Sequence, residues 1–208
     1  MTLTAGTEDF YARRAAEYAA SSRGSDTRRL QTFLSRLKPG STILELGCGA
    51  GLDSSFMLAA GFDVTPSDGS PEMAREAERN LGRPVRILPF ATLAEQNAFD
   101  GVWANACLLH VSRPDLSDVL GRILRALRPG GLFYASYKTG KSEGNDRYGR
   151  YYNYPPQDWL SDIYHGVGWC HLDIEHKAGG GYGGERVDWI HVLAEKSVER
   201  HSGDQVHI

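Results

Sequence analysis

The sequence predicts an α/β domain built on a largely parallel sheet, and three observations carry that prediction. At Ile43 to Asp53 the chain reads Ile-Leu-Glu-Leu-Gly-Cys-Gly-Ala-Gly-Leu-Asp, an apolar strand running through a glycine-rich turn into a helix. Between about Thr42 and Tyr137, short apolar runs alternate with amphipathic helical stretches, giving five strands with helices between them. Near the C-terminus two more strand-like runs follow one another with only a glycine-rich loop between them, which obliges them to pair antiparallel. At 208 residues the length suits a single domain. We expect N-terminal helices over 1–40, a core over 41–196 and a frayed tail from Ser197 to Ile208.

Each element has its own signal. Glu8 to Ala20 reads as a helix, with Phe10, Tyr11, Arg14, Ala15 and Tyr18 recurring at spacings of three and four. A second helix runs from about Thr27 to Leu37, capped by Ser25 or Asp26 and stopped by Pro39-Gly40. Strand one is about Thr42 to Leu46, and the helix after the glycine turn runs from Leu52 to about Ala60. Strand two, Phe62 to Ser67, ends at Asp68-Gly69. Ser70-Pro71-Glu72 then starts a helix with a hydroxyl cap, a proline at the first helical position and an acid in the first turn. Pro84 to Leu88 and Phe99 to Ala104 are strands three and four. Ser112-Arg113-Pro114 opens a long amphipathic helix that Pro129-Gly130-Gly131 ends, and Leu132 to Tyr137 is strand five. Thr139 to Tyr154 is polar, rich in glycine and tyrosine, and too long for an ordinary connection, so it reads as a functional or a mobile loop. A short helix over Pro155 to Gly166 follows. The last two strands are Cys170 to His176 and Trp189 to Glu195, joined across Gly179 to Gly184.

Composition narrows the function. A chain 41% apolar and 24% charged, with formal charge −3, is that of an ordinary globular protein and offers no global attraction to nucleic acid or anionic lipid. Met1 to Phe10 is polar and no stretch approaches the length of a membrane span, so a cytoplasmic protein is expected. Cys48, Cys107 and Cys170 form neither a disulfide framework nor a zinc motif, and the histidines form no tight ligand set, so no metal is expected.

The glycine turn is the centre of the reading. Gly47, Gly49 and Gly51 lack a Cβ and let backbone N–H groups approach a nucleotide-like cofactor, with Cys48 a small filler between them. A dinucleotide fingerprint needs glycines at the first, third and sixth positions; the sixth from Gly47 is Leu52, so it fails.

Glu45, Gly47, Gly49 and Gly51 match instead the Glu-x-Gly-x-Gly-x-Gly signature of class I methyltransferases, which use S-adenosylmethionine. The resemblance covers roughly positions 8 to 196. It is closest to bacterial small-molecule methyltransferases, including tellurite-resistance-like ones, on Phe-Asp-Gly-Val-Trp-Ala-Asn-Ala-Cys-Leu-Leu-His-Val (Phe99 to Val111) and Leu-Arg-Pro-Gly-Gly (Leu127 to Gly131). It implies a Rossmann-like sheet of seven strands in the order 3-2-1-4-5-7-6, strand 7 antiparallel, with helices on both faces. It also implies that the helix ahead of the first strand folds over the cofactor, with Tyr11 and Tyr18 closing off water around the sulfonium; the plain alternative is that they pack that helix onto the domain.

Asp68 stands 21 positions past Gly47, where a carboxylate can accept both hydroxyls of a ribose, or can simply favour the helix that starts at Ser70. Gly69 belongs to the same turn. Met73, one helical turn on, lies against adenine or fills the core. Many relatives carry an aspartate after strand three for the adenine amino group; this chain has Pro89-Phe90-Ala91-Thr92-Leu93, leaving Phe90 and Ala91 to hold adenine by backbone and packing. Ala104, Asn105 and Ala106, at the carboxyl end of strand four, should face the methionine part. No Asn/Asp-Pro-Pro-aromatic segment follows, which argues against methylation of nucleic-acid bases. His110 is a candidate general base or a hydrogen-bonded structural histidine. The Arg150-Tyr151 segment would shape the acceptor side, making Tyr151 the second catalytic candidate.

The reading is a cytoplasmic, monomeric or homodimeric methyltransferase acting on a small molecule, with no nucleic-acid or membrane partner. A NAD(P)-dependent oxidoreductase and a non-catalytic S-adenosylmethionine-binding module are the alternatives.

Overall fold

The computed structural model describes residues 4–21, 26–140 and 142–198. Ser25, one of the two expected caps, and positions 199–208 of the expected tail lie outside them. In chain order the elements are α1 (Ala5–Ser21), α2 (Thr27–Ser35), β1 (Thr42–Leu46), α3 (Leu52–Ala59), β2 (Asp63–Asp68), α4 (Pro71–Leu81), β3 (Arg86–Ile87), β4 (Phe99–Ala104), α5 (Arg113–Ala126), β5 (Leu127–Lys138), β6 (Gly144–Asn145), β7 (Tyr151–Tyr152), α6 (Gln157–Val167), β8 (His171–Gly180) and β9 (Arg186–Glu195).

Seven strands form one sheet in the order β3-β2-β1-β4-β5-β9-β8. Counting only its members in chain order, this is the expected 3-2-1-4-5-7-6. β1 through β5 are mutually parallel, and β9 enters antiparallel to both β5 and β8. The order reverses between β1 and β4, so the chain leaves those two strands in opposite directions and opens a crevice at their carboxyl ends.

The sheet is buried on both faces. Leu44, Leu46, Val102, Phe133 and Ala135 pack with α5, α6 and Trp169 on one side, while Ile43, Trp103, Leu132 and Tyr134 pack with Phe33, Leu30 and Met57 on the other. Trp103 and Tyr134 stack at 3.9 Å between centroids.

Local chemistry explains most boundaries. Asp26 caps α2 by accepting from Arg28 N–H, and Ser70 caps α4 by accepting from Met73 N–H, with Pro71 at the first turn. Three expectations are corrected. α2 ends at Ser35, not Leu37. β5 begins at Leu127, directly after α5, and carries Pro129-Gly130-Gly131 as an irregularity within the strand; Gly130, at φ +75°, takes up the register shift between the Phe99 and Gly101 pairings. The stretch Thr139 to Tyr154 holds an ordered hairpin, β6 with β7, and Arg150 and Asn153 within it are buried. No helix among the described residues is long and apolar enough to cross a membrane.

Candidate active site

A cavity of about 570 Å³ opens at the carboxyl ends of β1, β2 and β4, within the usual size of small-molecule sites. Tyr11, Tyr18, Glu45, Gly47, Cys48, Gly49, Asp68, Gly69, Met73, Phe90, Asn105 and His110 all line it. Four other sequence candidates do not. Gly51 caps α3 at φ +79° with Leu81 packed beneath it, Ala104 is sealed in the core, and Ala91 sits in a one-turn helix beside Phe90. Tyr151 turns its phenol outward to donate to Glu143; only its backbone serves the site.

Gly47 is required by approach. At φ +63°, a Cβ there would overlap Cys107 Cβ and lie 3.1 Å from its Sγ, so the turns after β1 and β4 close on each other at the switch point. The Cys107 thiol donates to Leu46 O at 3.1 Å, and burial raises the pKa values of both Cys48 and Cys107, which therefore stay as thiols.

Asp68 holds the floor of the cavity. Gly49 N–H donates to its Oδ2 at 3.0 Å and Ser70 N–H to its Oδ1 at 2.9 Å. A carboxylate has about four lone-pair positions, so each oxygen keeps one free to accept from a ligand hydroxyl. Desolvation pushes its pKa up to about 6, against the pull of those backbone donors. Glu45, deeper still, accepts from Ser54 Oγ; burial first, and the neighbouring Asp53 charge second, hold its carboxyl well above the usual range.

Asp53, Ser136 and Cys107 are residues that the sequence reading missed, whereas Ala106, named with Asn105, lines the cavity. Asp53 accepts from Trp103 Nε1 at 2.9 Å and from Asn105 Nδ2 at 3.3 Å, while Asn105 Oδ1 accepts from Ser136 Oγ at 2.8 Å. The Asn105 amide is thus tied to protein partners at both ends. Ala106 adopts φ +55°, and its N–H donates to Ser136 Oγ at 2.8 Å. Asp53 was legible as the acid in the first turn after the glycines; nothing local marks an alanine in a left-handed conformation.

Helix α1 packs over this floor. Its Gly6 abuts the Gly149 carbonyl, and Thr7 Oγ1 accepts from Tyr151 N–H at 2.9 Å. Tyr11 Oη lies 3.1 Å from His110 Nε2, and His110 Nδ1 lies 2.6 Å from Tyr151 O. A carbonyl only accepts, so Nδ1 carries the imidazole proton and Nε2 accepts from Tyr11. Burial depresses the His110 pKa to about 3 and raises that of Tyr11.

Behind Tyr11 the buried Arg150 guanidinium bonds Asp146 through Nε and Nη2 at 2.9 and 2.7 Å. It also faces the rings of Phe10, Tyr182, Tyr152 and Tyr148 at 4.5, 5.0, 5.4 and 5.5 Å. Tyr182, from the glycine-rich tip of the β8–β9 hairpin, stacks on Tyr18 at 5.2 Å.

Known proteins share this fold. Residues 44–135 match the family described as "Methyltransferase domain". Over that stretch the chain is similar to S-adenosylmethionine-dependent methyltransferases. A ubiquinone biosynthesis O-methyltransferase of Xanthomonas axonopodis pv. citri (strain 306) is 34% identical over 116 residues, 52% of this chain and 48% of that protein. The chain thus spans about half the length of that methyltransferase. Among solved structures, an S-adenosylmethionine-dependent methyltransferase of Methanosarcina mazei superposes with a TM-score of 0.73 at 19% identity, covering 81% of this chain and 98% of the other. A 1,6-didemethyltoxoflavin-N1-methyltransferase of Burkholderia thailandensis, solved with 1,6-didemethyltoxoflavin and S-adenosylhomocysteine, gives a TM-score of 0.67 at 23% identity, with 95% and 92% covered. At these identities the likeness of the two structures is one of fold.

Proposed function

We propose that this protein is a methyltransferase that binds S-adenosylmethionine in the 570 Å³ cavity and transfers its methyl group to a small-molecule acceptor, with α1 as a lid. The observation that carries the reading is Asp68, a buried carboxylate fixed by two backbone N–H groups beside the glycine turn, with lone pairs left for a vicinal diol. Gly47 and Gly49 would carry the cofactor backbone-to-ligand, Met73 and Phe90 would flank its base, and the Asn105-Ala106 turn would meet its amino-acid end.

The bound cofactor supplies an electrophilic methyl on a sulfonium. The chain supplies alignment and exclusion of water, effects that together can lower a barrier by roughly 7–11 kcal/mol. Tyr11 and Tyr18 wall the acceptor side. His110, neutral and locked in one tautomer by Tyr151 O, fixes the position of the Tyr11 hydroxyl, and its low pKa favours this orienting role over that of a general base. Tyr151 contributes its carbonyl to that lock in place of a phenol.

A cytoplasmic, single-domain enzyme, monomeric or homodimeric, completes the reading, supported by three cysteines that all stand as free thiols. Calorimetry against S-adenosylmethionine, S-adenosylhomocysteine and NAD tests it. The first two should bind and NAD should not, and Asp68→Ala should abolish binding while leaving the circular dichroism spectrum unchanged. Tight NAD binding would instead return the oxidoreductase reading.

A further inference from the structure

We propose that the free edge of β8 pairs antiparallel with β8 of a second copy of this chain, joining the two sheets about a two-fold axis at His176. The two ends of the sheet are built differently. At one, β3 is two residues long, Arg86–Ile87, too short to template another strand. At the other, β8 runs for ten residues, His171–Gly180, without proline and in unbroken register with β9. A long regular edge of this kind accepts a further strand.

The ladder shows which groups face outward. Gly181 N–H donates to Glu185 O at 2.7 Å, continuing the β8–β9 register, and on the far side of β9 Thr139 N–H donates to Asp188 O at 2.8 Å, continuing that of β5 and β9. Both bonds give the same alternation. Odd-numbered residues of β8 bond to β9, and the N–H and C=O groups of Leu172, Ile174, His176, Ala178 and Gly180 point away from the sheet. No described residue bonds to them.

Charge selects the register. Asp173, Glu175 and Lys177 share one face of β8, where Arg36, Arg29 and Asp26 meet them. An axis at Ile174 would oppose Asp173 with Glu175, and an axis at Lys177 would oppose the lysine with itself. An axis at Glu175 would match Asp173 with Lys177 but set Glu175 against its own copy. With the axis at His176, Glu175 opposes Lys177 of the second copy, and this happens twice. That pair falls at a non-hydrogen-bonded position, where facing side chains approach closest. Arg29, Glu175, and then Lys177 and Asp26 of the second copy form a row of alternating sign. On the other face Ile174 meets Ala178 and Leu172 meets Gly180. The outward groups of both copies together make about ten backbone hydrogen bonds, a usual number for a protein–protein interface. Helix α2 leaves room for this, because its Leu30 and Phe33 pack on Trp103 and Tyr134 of β4 and β5, inside the edge strands. The cavity, at β1, β2 and β4, stays open in both copies.

Sedimentation velocity of the full chain from about 1 to 100 μM should show a dimer that gives way to monomer on dilution. His176→Pro removes an outward N–H and no bond to β9, so it should weaken the dimer at least ~100-fold with the circular dichroism spectrum unchanged. Glu175→Lys and Lys177→Glu each oppose like charges and should each weaken it at least ~10-fold. An equimolar mixture of those two variants restores both opposite pairs and should dimerise as the parent does. A parent that stays monomeric at about 100 μM overturns the proposal, whether its Leu172, Ile174 and His176 amides exchange fast, meaning an open edge, or slowly, meaning cover by another segment of the same chain. A dimer indifferent to all three substitutions, or a mixture no more associated than either variant alone, overturns it too.

Discussion

Gly47→Ala probes the closure of the switch point by sterics alone. The new Cβ would overlap Cys107 Cβ and press on its Sγ at 3.1 Å, so the turns after β1 and β4 must part by about 1 Å to restore ordinary carbon contact. Overpacking of this kind costs about 1–3 kcal/mol. The backbone at φ +63° adds about 1–2 kcal/mol for any residue with a Cβ. Together the loss is about 2–5 kcal/mol, a fall in Tm of roughly 4–20 °C for a domain of this size. Urea unfolding followed by circular dichroism and by tryptophan fluorescence, with Trp103 buried in the adjoining core, measures it. Repeating the substitution in a Cys107→Gly background removes the overlapping carbon, and the penalty should drop to the 1–2 kcal/mol of the backbone term. A penalty below about 1 kcal/mol in the parent, or an equal one in both backgrounds, would refute the steric account.

Cofactor affinity should fall as pH drops through about 6, because Asp68 accepts hydroxyls only when ionised; stability of the free protein moves the other way. A folded pKa raised above the unfolded value makes this group's contribution most favourable below about pH 4 and lost by pH 6 and above. Calorimetry from pH 5 to 8 reads the first, and an affinity flat across that window in the parent would contradict it. Ala106→Gly should raise stability by about 1 kcal/mol, since φ +55° costs glycine nothing, and thermal denaturation checks the sign. Tyr182→Ala removes ring contacts to Tyr18, Phe10 and Tyr148, each worth about 0.5–1.5 kcal/mol. Hydrogen exchange in α1 should quicken by roughly 10- to 100-fold while β1 and β4 amides stay protected; uniform quickening would mean the hairpin tip supports the whole domain instead.

Sequence alone determined the strand–turn–helix at Ile43 to Asp53, the Ser70 cap that places Asp68 at a helix start, and the alternation that builds the parallel sheet. These follow from short-range rules, namely the periods of apolar residues, a cap and the conformational freedom of glycine. Where such a rule was read too locally it failed, as at Pro129-Gly130-Gly131, which punctuates a strand in place of a turn because the residue just after β9 bonds across it: Lys196 O accepts from Gly130 N–H and Lys196 N–H donates to Gly131 O. Only the tertiary structure decided what faces the cavity. Tyr11 and His110 lie 99 positions apart. Tyr182 comes from a hairpin whose glycines say nothing of a lid. Tyr151 and Arg150 are neighbours in sequence, yet one phenol points to Glu143 while the guanidinium is enclosed by four rings. Which side of a segment turns inward depends on the surface it docks against, and for α1 and the β6–β7 hairpin that surface is assembled from segments scattered along the whole chain.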